Sequence, residues 1–419
     1  MNTSAMAVSV NADRLLARHD AMARHGATPL GGVNRPALSA EETRARKELV
    51  DWGRARGFAC SVDPIGNIFV RRPGIEVEAL PVRTGSHLDS QMPGGNYDGV
   101  YGVLAAFEVL ETLEDNGIDT LVPVELVVWN NEEGCRFSPT TMGSAVHAGA
   151  LPLGQALKAS DPAGITVAEA LAASLQELGD LPRAELGSPS KAYIEAHIEQ
   201  GTLLESQGLS VGAVTGIQGT AQFLIEVLGQ EAHAGTTPKE KRKDALRDAI
   251  RLMEALDAAV QTDDDLVRFT VGKLDVWPNA VNTVPSRVVF TVDLRHPSAE
   301  LFDRLVASVK NVCASASVAC QQTLQSSPVS FDPAVVAIVE ESCAQAGLGT
   351  ARLPSGATHD AKYMAELCSS GMIFIPCRDG ISHNEREHAQ PRHMVDGANI
   401  LLASILRLAG EATGSSACK

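Results

Sequence analysis

Residues Val124 to Gly134 read VELVVWNNEEG, so a short apolar run leads directly into two adjacent acids, Glu132 and Glu133. The run from Val124 to Trp129 has the length of a buried strand, and the polar residues after it mark its carboxyl end. Two neighbouring carboxylates at such a strand end repel each other, which costs free energy unless a cation compensates them. A cation would bind one glutamate and leave the other to act as a base. The alternative, a solvated acidic turn, fits poorly after so apolar a run.

Short apolar runs and amphipathic segments alternate on both sides of this stretch. The pattern predicts helices over Glu41–Arg56, after the capping residue Ser39, and over Gly102–Leu113. The predicted strands are Asn67–Val70, Val82–Thr84, Val124–Trp129 and Tyr193–Ile198. This alternation of strands and helices predicts the α/β fold class, with an α/β/α domain built on a central, largely parallel sheet.

The pattern changes near Gly212. The next predicted elements are strands over Ala221–Leu228, Phe269–Val276 and Arg287–Leu294, and helices over Asp244–Val260 and Ala299–Val309. Two helices and several strands in so short a segment are typical of a compact α+β sandwich. From Pro333 onward the sequence again resembles the first half. We therefore predict a small domain, residues 213–329, inserted into a larger domain formed by residues 1–212 and 330–419.

The bulk composition is typical of a soluble globular protein. The 419 residues suffice for about two to three domains. The formal charge of −16 argues against nucleic-acid or membrane-surface partners. No basic segment followed by an apolar run opens the chain, and its eight cysteines form no Cys-x-x-Cys pair, so we expect a cytoplasmic protein with reduced thiols. Gly414 to Lys419 are expected to form a loose tail.

Four further polar segments carry residues suited to chemistry. They are GSHLD at Gly85–Asp89, GGNYDG at Gly94–Gly99, HIEQG at His197–Gly201 and SHNE at Ser382–Glu385. The carboxyl ends of strands are where α/β sheets place their binding sites. Asp89, two residues after His87, can accept the second ring N–H of a metal-bound imidazole and so fix its tautomer.

Each segment alone also has an ordinary explanation. Asp98 could cap the helix that follows it, and a lone histidine is usually a satisfied core or surface residue. Considered together, the residues predict two Zn²⁺-like ions that share one carboxylate at roughly 3.5–4 Å separation. The five predicted ligands are His87, Asp98, Glu133, His197 and His383.

With these motifs, the chain resembles the M20-type family of metal-dependent peptidases and amidases. It is most similar to the branch of N-carbamoyl-L-amino-acid hydrolases, β-ureidopropionases and allantoate amidohydrolases. The matching motifs are GSHLDS, GGxYDG, NEEG, HIEQG, GQEAHAG and DGISHNE, which extend from about Thr84 to Glu385.

The resemblance implies roles for the site residues. His87 and His197 would hold one metal ion, Glu133 and His383 the other, and Asp98 would bridge them. A further implied role makes Glu132 the general base and later the proton donor, and Asp89 the support of His87. The first and last parts of the chain would form the catalytic domain, and the inserted domain a lid and dimerisation domain.

The resemblance also implies substrate contacts. His233 would polarise the scissile carbonyl with help from Asn282, for which Asn279 is the nearby alternative. Arg295 would bind the substrate carboxylate, and Gln200 would contact the ureido or carboxylate group. The substrate loop SGATHDA includes Gly356 and carries Thr358 where the family usually has glycine, which leaves the side-chain preference open.

These roles imply an enzyme that hydrolyses the carbamoyl C–N bond of N-carbamoyl-L-amino acids, releasing amino acid, CO₂ and ammonia. Allantoate amidohydrolase and β-ureidopropionase are the alternatives, and a non-catalytic binding protein on the same fold is a distant one. The implied cofactors are two divalent ions, Zn²⁺ first, with Mn²⁺, Co²⁺ and Ni²⁺ as alternatives. The implied assembly is a homodimer.

Overall fold

The structure is a computed structural model that describes residues 8–410. The expected tail from Gly414 onward lies outside the described residues. The chain divides into two compact units. The first consists of the chain up to Thr215 together with the chain from Phe331 onward, and the second is the continuous segment Gly216–Ser330.

The strands, in chain order, are β1 (Ala59–Val62), β2 (Ile68–Arg72), β3 (Val82–His87), β4 (Val124–Trp129), β5 (Ala192–Ile198), β6 (Val211–Ile217), β7 (Gly219–Leu228), β8 (Ala232–His233), β9 (Arg268–Trp277), β10 (Thr283–Val284), β11 (Arg287–His296), β12 (Ala319–Ser326), β13 (Val329–Ser330), β14 (Thr350–Ser355) and β15 (Ser369–Ile375). The α-helices are α1 (Ala12–Met22), α2 (Ala40–Ala55), α3 (Val100–Asp115), α4 (Met142–His147), α5 (Leu153–Ala156), α6 (Val167–Leu178), α7 (Leu203–Ser206), α8 (Ala245–Val260), α9 (Ala299–Ser315), α10 (Pro333–Gln345), α11 (Ala361–Met364) and α12 (Pro391–Ala409).

The main sheet has the order β1-β2-β4-β3-β5-β15-β6-β13, with β14 also paired to β6. Its middle strands β4, β3, β5 and β15 are parallel, whereas β1, β2 and β6 pair with their neighbours in antiparallel fashion. All residues of β3, β4 and β5 are buried, which explains why Val124–Trp129 is apolar except for Glu125, whose carboxylate accepts a hydrogen bond from Arg83. The prediction of an α/β fold with a largely parallel central sheet is confirmed.

The parallel strands place their carboxyl ends at one edge of the sheet. His87 is the last residue of β3, His197 is the second-last residue of β5, and Glu132 follows β4 by three residues. Helix α3 starts beyond the same edge, directly after Asp98 and Gly99. Polar residues that are far apart in sequence are therefore brought together here.

Two helices of the first unit were predicted from periodicity. Helix α2 follows Ser39, whose hydroxyl accepts a hydrogen bond from the Glu42 amide at 3.1 Å, as expected for its cap. Helix α3 is buried from Val100 to Leu113 rather than along one stripe. The reason is that it packs against strands β3, β4 and β5 and also against helices α1 and α12.

The second unit contains a four-stranded antiparallel sheet of order β12-β7-β11-β9. Helices α8 and α9 pack against this sheet, with Leu252, Leu256, Phe302, Phe223 and Phe290 in the shared core. A separate two-stranded ribbon, β8 with β10, pairs His233 with Thr283.

No helix within residues 8–410 combines the length and apolar character needed to cross a membrane. The cysteines in this part of the chain are all free thiols.

Candidate metal centre

Two buried histidines present one ring nitrogen each to the centre. The Nδ1 atoms of His87 and His197 lie 2.9 Å from the carbonyl oxygens of Asp89 and Ile198. A carbonyl oxygen only accepts hydrogen bonds, so each Nδ1 carries a proton and each Nε2 is left with a lone pair that can bind a metal ion. Backbone geometry thus orients both imidazoles as ligands.

Asp98 lies between the histidines and offers a different oxygen to each side. Its Oδ1 is 3.0 Å from His197 Nε2 and 3.6 Å from His87 Nε2, and its Oδ2 is 3.3 Å from His383 Nε2. Burial alone would raise the pKa of Asp98, but the neighbouring His197, His383 and His87 hold it well below its usual range, so it is a charged carboxylate. Asp98 does not cap α3, because the cap position is Gly99 and no side chain caps this helix. A carboxylate in this position can bridge two cations.

Two sets of possible ligands therefore share Asp98. In the buried group, His87, Asp98 and His197 each place one ligand atom within 4.8 Å of the others. In the open group, the same holds for Asp98, Glu133 and His383, and the His383 side chain is 51% exposed. A third set, Glu195, His197 and His359, also meets this distance criterion. In this set both oxygens of Glu195 accept hydrogen bonds, from Ser86, Tyr193 and the Ala361 amide.

The adjacent acids Glu132 and Glu133 are both buried, which excludes a solvated turn. Glu133 Oε2 accepts a hydrogen bond from Gln91 and lies 3.5 Å from His383 Nε2. Among the described residues, nothing donates a hydrogen bond to the Glu132 carboxylate, whose Oε2 lies 3.7 Å from His87 Nε2. Burial raises the pKa of Glu132 well above its usual range and that of Glu133 to about 7. The two neighbours therefore differ. The Glu133 carboxylate is held at the open group by a hydrogen bond, whereas the Glu132 carboxylate has no donor among the described residues.

Asp89 supports the centre in a way that its spacing from His87 did not predict. Its carboxylate was expected to accept the second ring N–H of His87, but the oxygen nearest to Nδ1 is the Asp89 carbonyl at 2.9 Å, with the carboxylate at 3.7 Å. The carboxylate accepts the backbone N–H groups of Glu132 and Glu133 at 3.2 and 3.1 Å. Asp89 thus links the β3 loop to the acidic turn after β4.

The space beside His87 fits a cation. Gly99 has a φ of +66°, and a Cβ atom there would come within 2.4 Å of His87 Nε2. Glycine both permits this backbone conformation and keeps the region next to the ligand nitrogen open. Imidazole nitrogens and carboxylate oxygens are the donor types that Zn²⁺ and related ions bind, so the residues present match the expected cofactor.

Around Asp98 the structure reveals contacts that the sequence did not. Gln200 Nε2 donates to Asp98 Oδ2 at 2.8 Å, and the Ser382 hydroxyl donates to the same oxygen at 3.0 Å. Buried Glu387 accepts the backbone N–H groups of Tyr97 and Asp98. The only sequence signal for Glu387 was a second acid just beyond the SHNE motif, and Ser382 lay within that motif without an assigned role.

The second unit places His233 and Asn282 on one ribbon. The Ala234 amide donates to the Asn282 carbonyl at 2.9 Å, beside the pair His233 and Thr283. The exposed His233 ring accepts the backbone N–H groups of Gly235 and Thr236 at Nδ1, at 3.0 and 3.2 Å. Since Nδ1 is an acceptor, the neutral ring carries its proton on Nε2 and can donate a hydrogen bond there. Asn279 lies in the turn before β10 with a φ of +58°.

The remaining predicted substrate residues lie on a strand and in a loop. Arg295, in β11, donates from Nε to Asp293 Oδ1 at 2.7 Å, and Gln222 donates to the other oxygen of Asp293 at 3.0 Å. Gly356 and Thr358 are exposed in the loop between β14 and α11. Their contacts with substrate stay predictions.

Known proteins resemble the chain over almost its whole length. A model of the peptidase family M20/M25/M40 matches residues 84–407. An N-carbamoyl-L-amino-acid amidohydrolase from Rhizobium meliloti is 36% identical over 407 residues, 96% of this chain and 97% of that protein. An allantoate amidohydrolase from Bacillus subtilis is 32% identical over 394 residues, 93% of this chain and 95% of that protein. The crystal structure of an amidase of the hydantoinase/carbamoylase family from Burkholderia multivorans superposes with a TM-score of 0.90 at 41% identity, covering 96% of this chain and 98% of that one.

Proposed function

The chain belongs to the M20/M25/M40 peptidase family, and we propose that it is a metal-dependent amidohydrolase that cleaves the carbamoyl C–N bond of N-carbamoyl-L-amino acids. The observation that carries this proposal is the uncommitted Glu132 carboxylate beside two ligand groups that share Asp98. The proposed reaction is also that of several relatives of 31–36% identity, which are named N-carbamoyl-L-amino-acid amidohydrolases.

The metal ions would be held by the buried and open groups. His87, His197 and Asp98 would hold one ion, and Asp98, Glu133 and His383 the other. When bound, such ions lower the pKa of water toward neutrality and polarise a carbonyl oxygen. We propose Zn²⁺ as the ion, with Mn²⁺, Co²⁺ and Ni²⁺ as alternatives that the same donors bind.

Glu132 would transfer the proton. Its carboxylate is buried, and nothing in the described part of the chain donates a hydrogen bond to it, so it can accept a proton from the attacking water. The same carboxyl group would then protonate the leaving nitrogen. Glu132 is adjacent to the proposed metal ligand Glu133 but belongs to neither ligand group.

Residues of the inserted unit would bind the substrate. The Nε2–H of His233 is oriented for donation because its Nδ1 is already an acceptor, and together with Asn282 it would stabilise the oxyanion that develops on the scissile carbonyl. Arg295 would bind the substrate carboxylate through its guanidinium. The adjacency of Asn282 to the His233 ribbon supports Asn282 over Asn279 in this role.

A ureido substrate is supported by Gln200. Its Nε2 donates hydrogen bonds to Asp98 and Ser382, whereas its Oε1 is buried and has no hydrogen-bond partner among the described residues. A buried amide oxygen in this state is satisfied by a hydrogen-bond donor, either an N–H or an O–H group. The ureido group of an N-carbamoyl-amino acid offers N–H donors, which a plain carboxylate would not.

The proposed reaction is a hydrolysis. Water adds to the carbamoyl carbon, the bond from that carbon to the α-nitrogen breaks, and the proton taken by Glu132 moves to the leaving nitrogen. The products are the free L-amino acid and carbamic acid, which decomposes to CO₂ and ammonia.

Allantoate amidohydrolase and β-ureidopropionase activities are the alternatives, because their substrates also carry a ureido group. A non-catalytic binding protein is disfavoured, since a degenerate site should have lost a ligand or Glu132, and all are present. A cytoplasmic location and a homodimer stay predictions.

An ammonia-release assay tests the proposal. The purified protein is incubated with N-carbamoyl-L-amino acids, N-carbamoyl-β-alanine, allantoate and an N-acetyl-amino acid, each with and without added Zn²⁺, Mn²⁺, Co²⁺ or Ni²⁺; for the N-acetyl compound the free amino acid is measured. We expect the highest kcat/KM for an N-carbamoyl-L-amino acid, lost on chelation and restored by metal. A preference for allantoate or N-carbamoyl-β-alanine would move the assignment to the corresponding alternative. No turnover of any substrate with any metal would contradict the enzyme proposal.

A further inference from the structure

Gln91 contacts the ligand oxygen of the open group. Its Nε2 donates a hydrogen bond to Glu133 Oε2 at 2.6 Å. That oxygen is also the one that lies 3.5 Å from His383 Nε2. The amide of Gln91 therefore acts on the carboxylate atom that would bind the second cation.

The backbone of Gln91 is held in place by a buried neighbour. The Ser90 hydroxyl donates to the Gln91 carbonyl at 2.9 Å and accepts the Arg35 amide at 3.0 Å. The Ser90 amide in turn donates to the Arg35 carbonyl at 2.9 Å, and Arg35 is completely buried. The Gln91 amide thus extends from a fixed point of the chain toward Glu133.

The open and buried groups differ in how their ligands are oriented. In the open group, the two carboxylate oxygens that face His383 each accept a glutamine N–H, Asp98 Oδ2 from Gln200 and Glu133 Oε2 from Gln91. In the buried group, backbone carbonyls orient the two imidazoles. Gln91 contacts a ligand of the open group only, whereas Gln200 contacts Asp98, which belongs to both groups.

The physical effect of the Gln91 amide is to fix Glu133. A carboxylate oxygen has two lone pairs, so it can accept an N–H and bind a cation together. Asp98 and Glu132 lie nearby, and the amide hydrogen offsets their repulsion of Glu133 while it holds one rotamer. Loss of a partner that orients a metal ligand typically costs about 10- to 100-fold in metal affinity.

We propose that Gln91 is a positioning residue that sets the affinity of the open group for its cation and leaves the buried group unaffected. This inference rests on the proposed metal-dependent function, because it assumes that both groups bind ions. It assigns to Gln91 a role in metal occupancy rather than in substrate recognition.

Metal titration of three variants tests the proposal. Gln91→Met keeps the side-chain length but removes the donor, Gln91→Asn keeps the amide but is shorter by one methylene, and Gln176→Met alters an exposed glutamine on α6 as the matched control. The chelated proteins are titrated with Zn²⁺ or Co²⁺ by equilibrium dialysis with elemental analysis, and Co²⁺ absorption spectra follow the two ions. We expect wild type and Gln176→Met to bind two ions. Both Gln91 variants should bind one ion normally and the second about 10- to 100-fold more weakly.

The outcomes separate the inference from the function on which it rests. Two ions bound with wild-type affinity by both Gln91 variants would overturn the role of Gln91, as would an equal loss of both ions. A raised KM with unchanged metal affinity would also overturn it, in favour of substrate contact. If the wild-type protein itself binds no ions, the proposed function fails, and the behaviour of the Gln91 variants is not needed to show that.

Discussion

The histidines of the two units are held by the backbone in opposite ways. In the first unit, His87 and His197 are 2% and 1% exposed, and backbone carbonyls accept from their Nδ1 atoms. In the second unit, His233 is exposed, and backbone amides donate to its Nδ1. The first arrangement leaves a lone pair on Nε2, and the second leaves a proton there.

The tautomer of a histidine, set by its local backbone, decides which chemistry it can perform. A lone pair on Nε2 suits a metal ligand, and an Nε2–H suits a donor to a developing oxyanion. Burial follows the same division for these three histidines, since the predicted ligands His87 and His197 are buried and the predicted substrate contact His233 is exposed. The comparison therefore predicts that changes in the two units will have separable effects on metal content and turnover.

The largest effect is expected for Glu132→Gln, which tests whether the chemistry resides in the first unit. The amide cannot accept the proton of water, so turnover should fall by roughly 10²- to 10⁴-fold. The metal content should stay at the wild-type value, because Glu132 belongs to neither ligand group. Steady-state kinetics and elemental analysis of the same preparation measure the two quantities. Near-normal turnover would remove Glu132 as the base, and loss of metal would make it a ligand.

A smaller effect is expected for His233→Ala, which tests whether the histidine of the second unit donates a hydrogen bond to the substrate. Loss of the Nε2–H donor should lower kcat by roughly 10²- to 10³-fold, the effect of removing one oxyanion donor. The metal affinity should not change, in contrast to His87→Ala. Asn282→Ala should also lower kcat, with Asn279→Ala as its matched control. A fall in metal content in His233→Ala, or an equal loss in Asn279→Ala, would contradict the assignment.

Much of the fold could be predicted because burial produces a clear hydrophobic pattern in the sequence. Strand β4 coincides with the predicted strand Val124–Trp129, since a strand covered on both faces is apolar except where a buried charge is paired, as Glu125 is with Arg83. Periodicity also predicted α3, but it could not show that this helix is enclosed on all sides. Enclosure depends on which elements pack around a helix, and a single segment does not encode its neighbours.

The candidate site could be predicted only in part, because a local pattern does not show which distant residues support it. Polar residues at strand ends predicted the approach of His87, His197 and the acids after β4, although their binding of metal stays a prediction. The supports of these residues were not predicted. Gln91 reaches Glu133 across 42 positions and Glu387 reaches Asp98 across 289, and no local pattern encodes such a hydrogen bond.

The smallest expected effect concerns protonation rather than tautomers, and it arises at His19 in the first unit. The His19 ring is buried and stacks on Tyr97 with a centroid distance of 4.5 Å, and its Nε2 has no hydrogen-bond partner among the described residues. Burial lowers the pKa of His19 to about 4; the nearby charge of Asp20 opposes the shift, and those of Arg35 and His388 add to it. The ring is therefore neutral in the folded protein at pH values where it is protonated in the unfolded chain.

The sign of the pH effect follows from proton uptake on unfolding. Between about pH 6.5 and 4 the unfolded chain binds a proton that folded His19 does not, so this residue lowers the free energy of unfolding as the pH falls through that range. From pH 7.5 to 5.5 the loss should be about 1.4 kcal/mol. His19→Phe keeps a ring against Tyr97 but cannot bind a proton. In urea unfolding, the free energy of unfolding of this variant should therefore fall less than that of wild type between pH 7.5 and 5.5, by about 1.4 kcal/mol. Because His19 touches no predicted ligand, the metal affinity of this variant at pH 7.5 should equal that of wild type. An unchanged pH dependence in His19→Phe would mean that the buried ring does not set the acid sensitivity of the first unit.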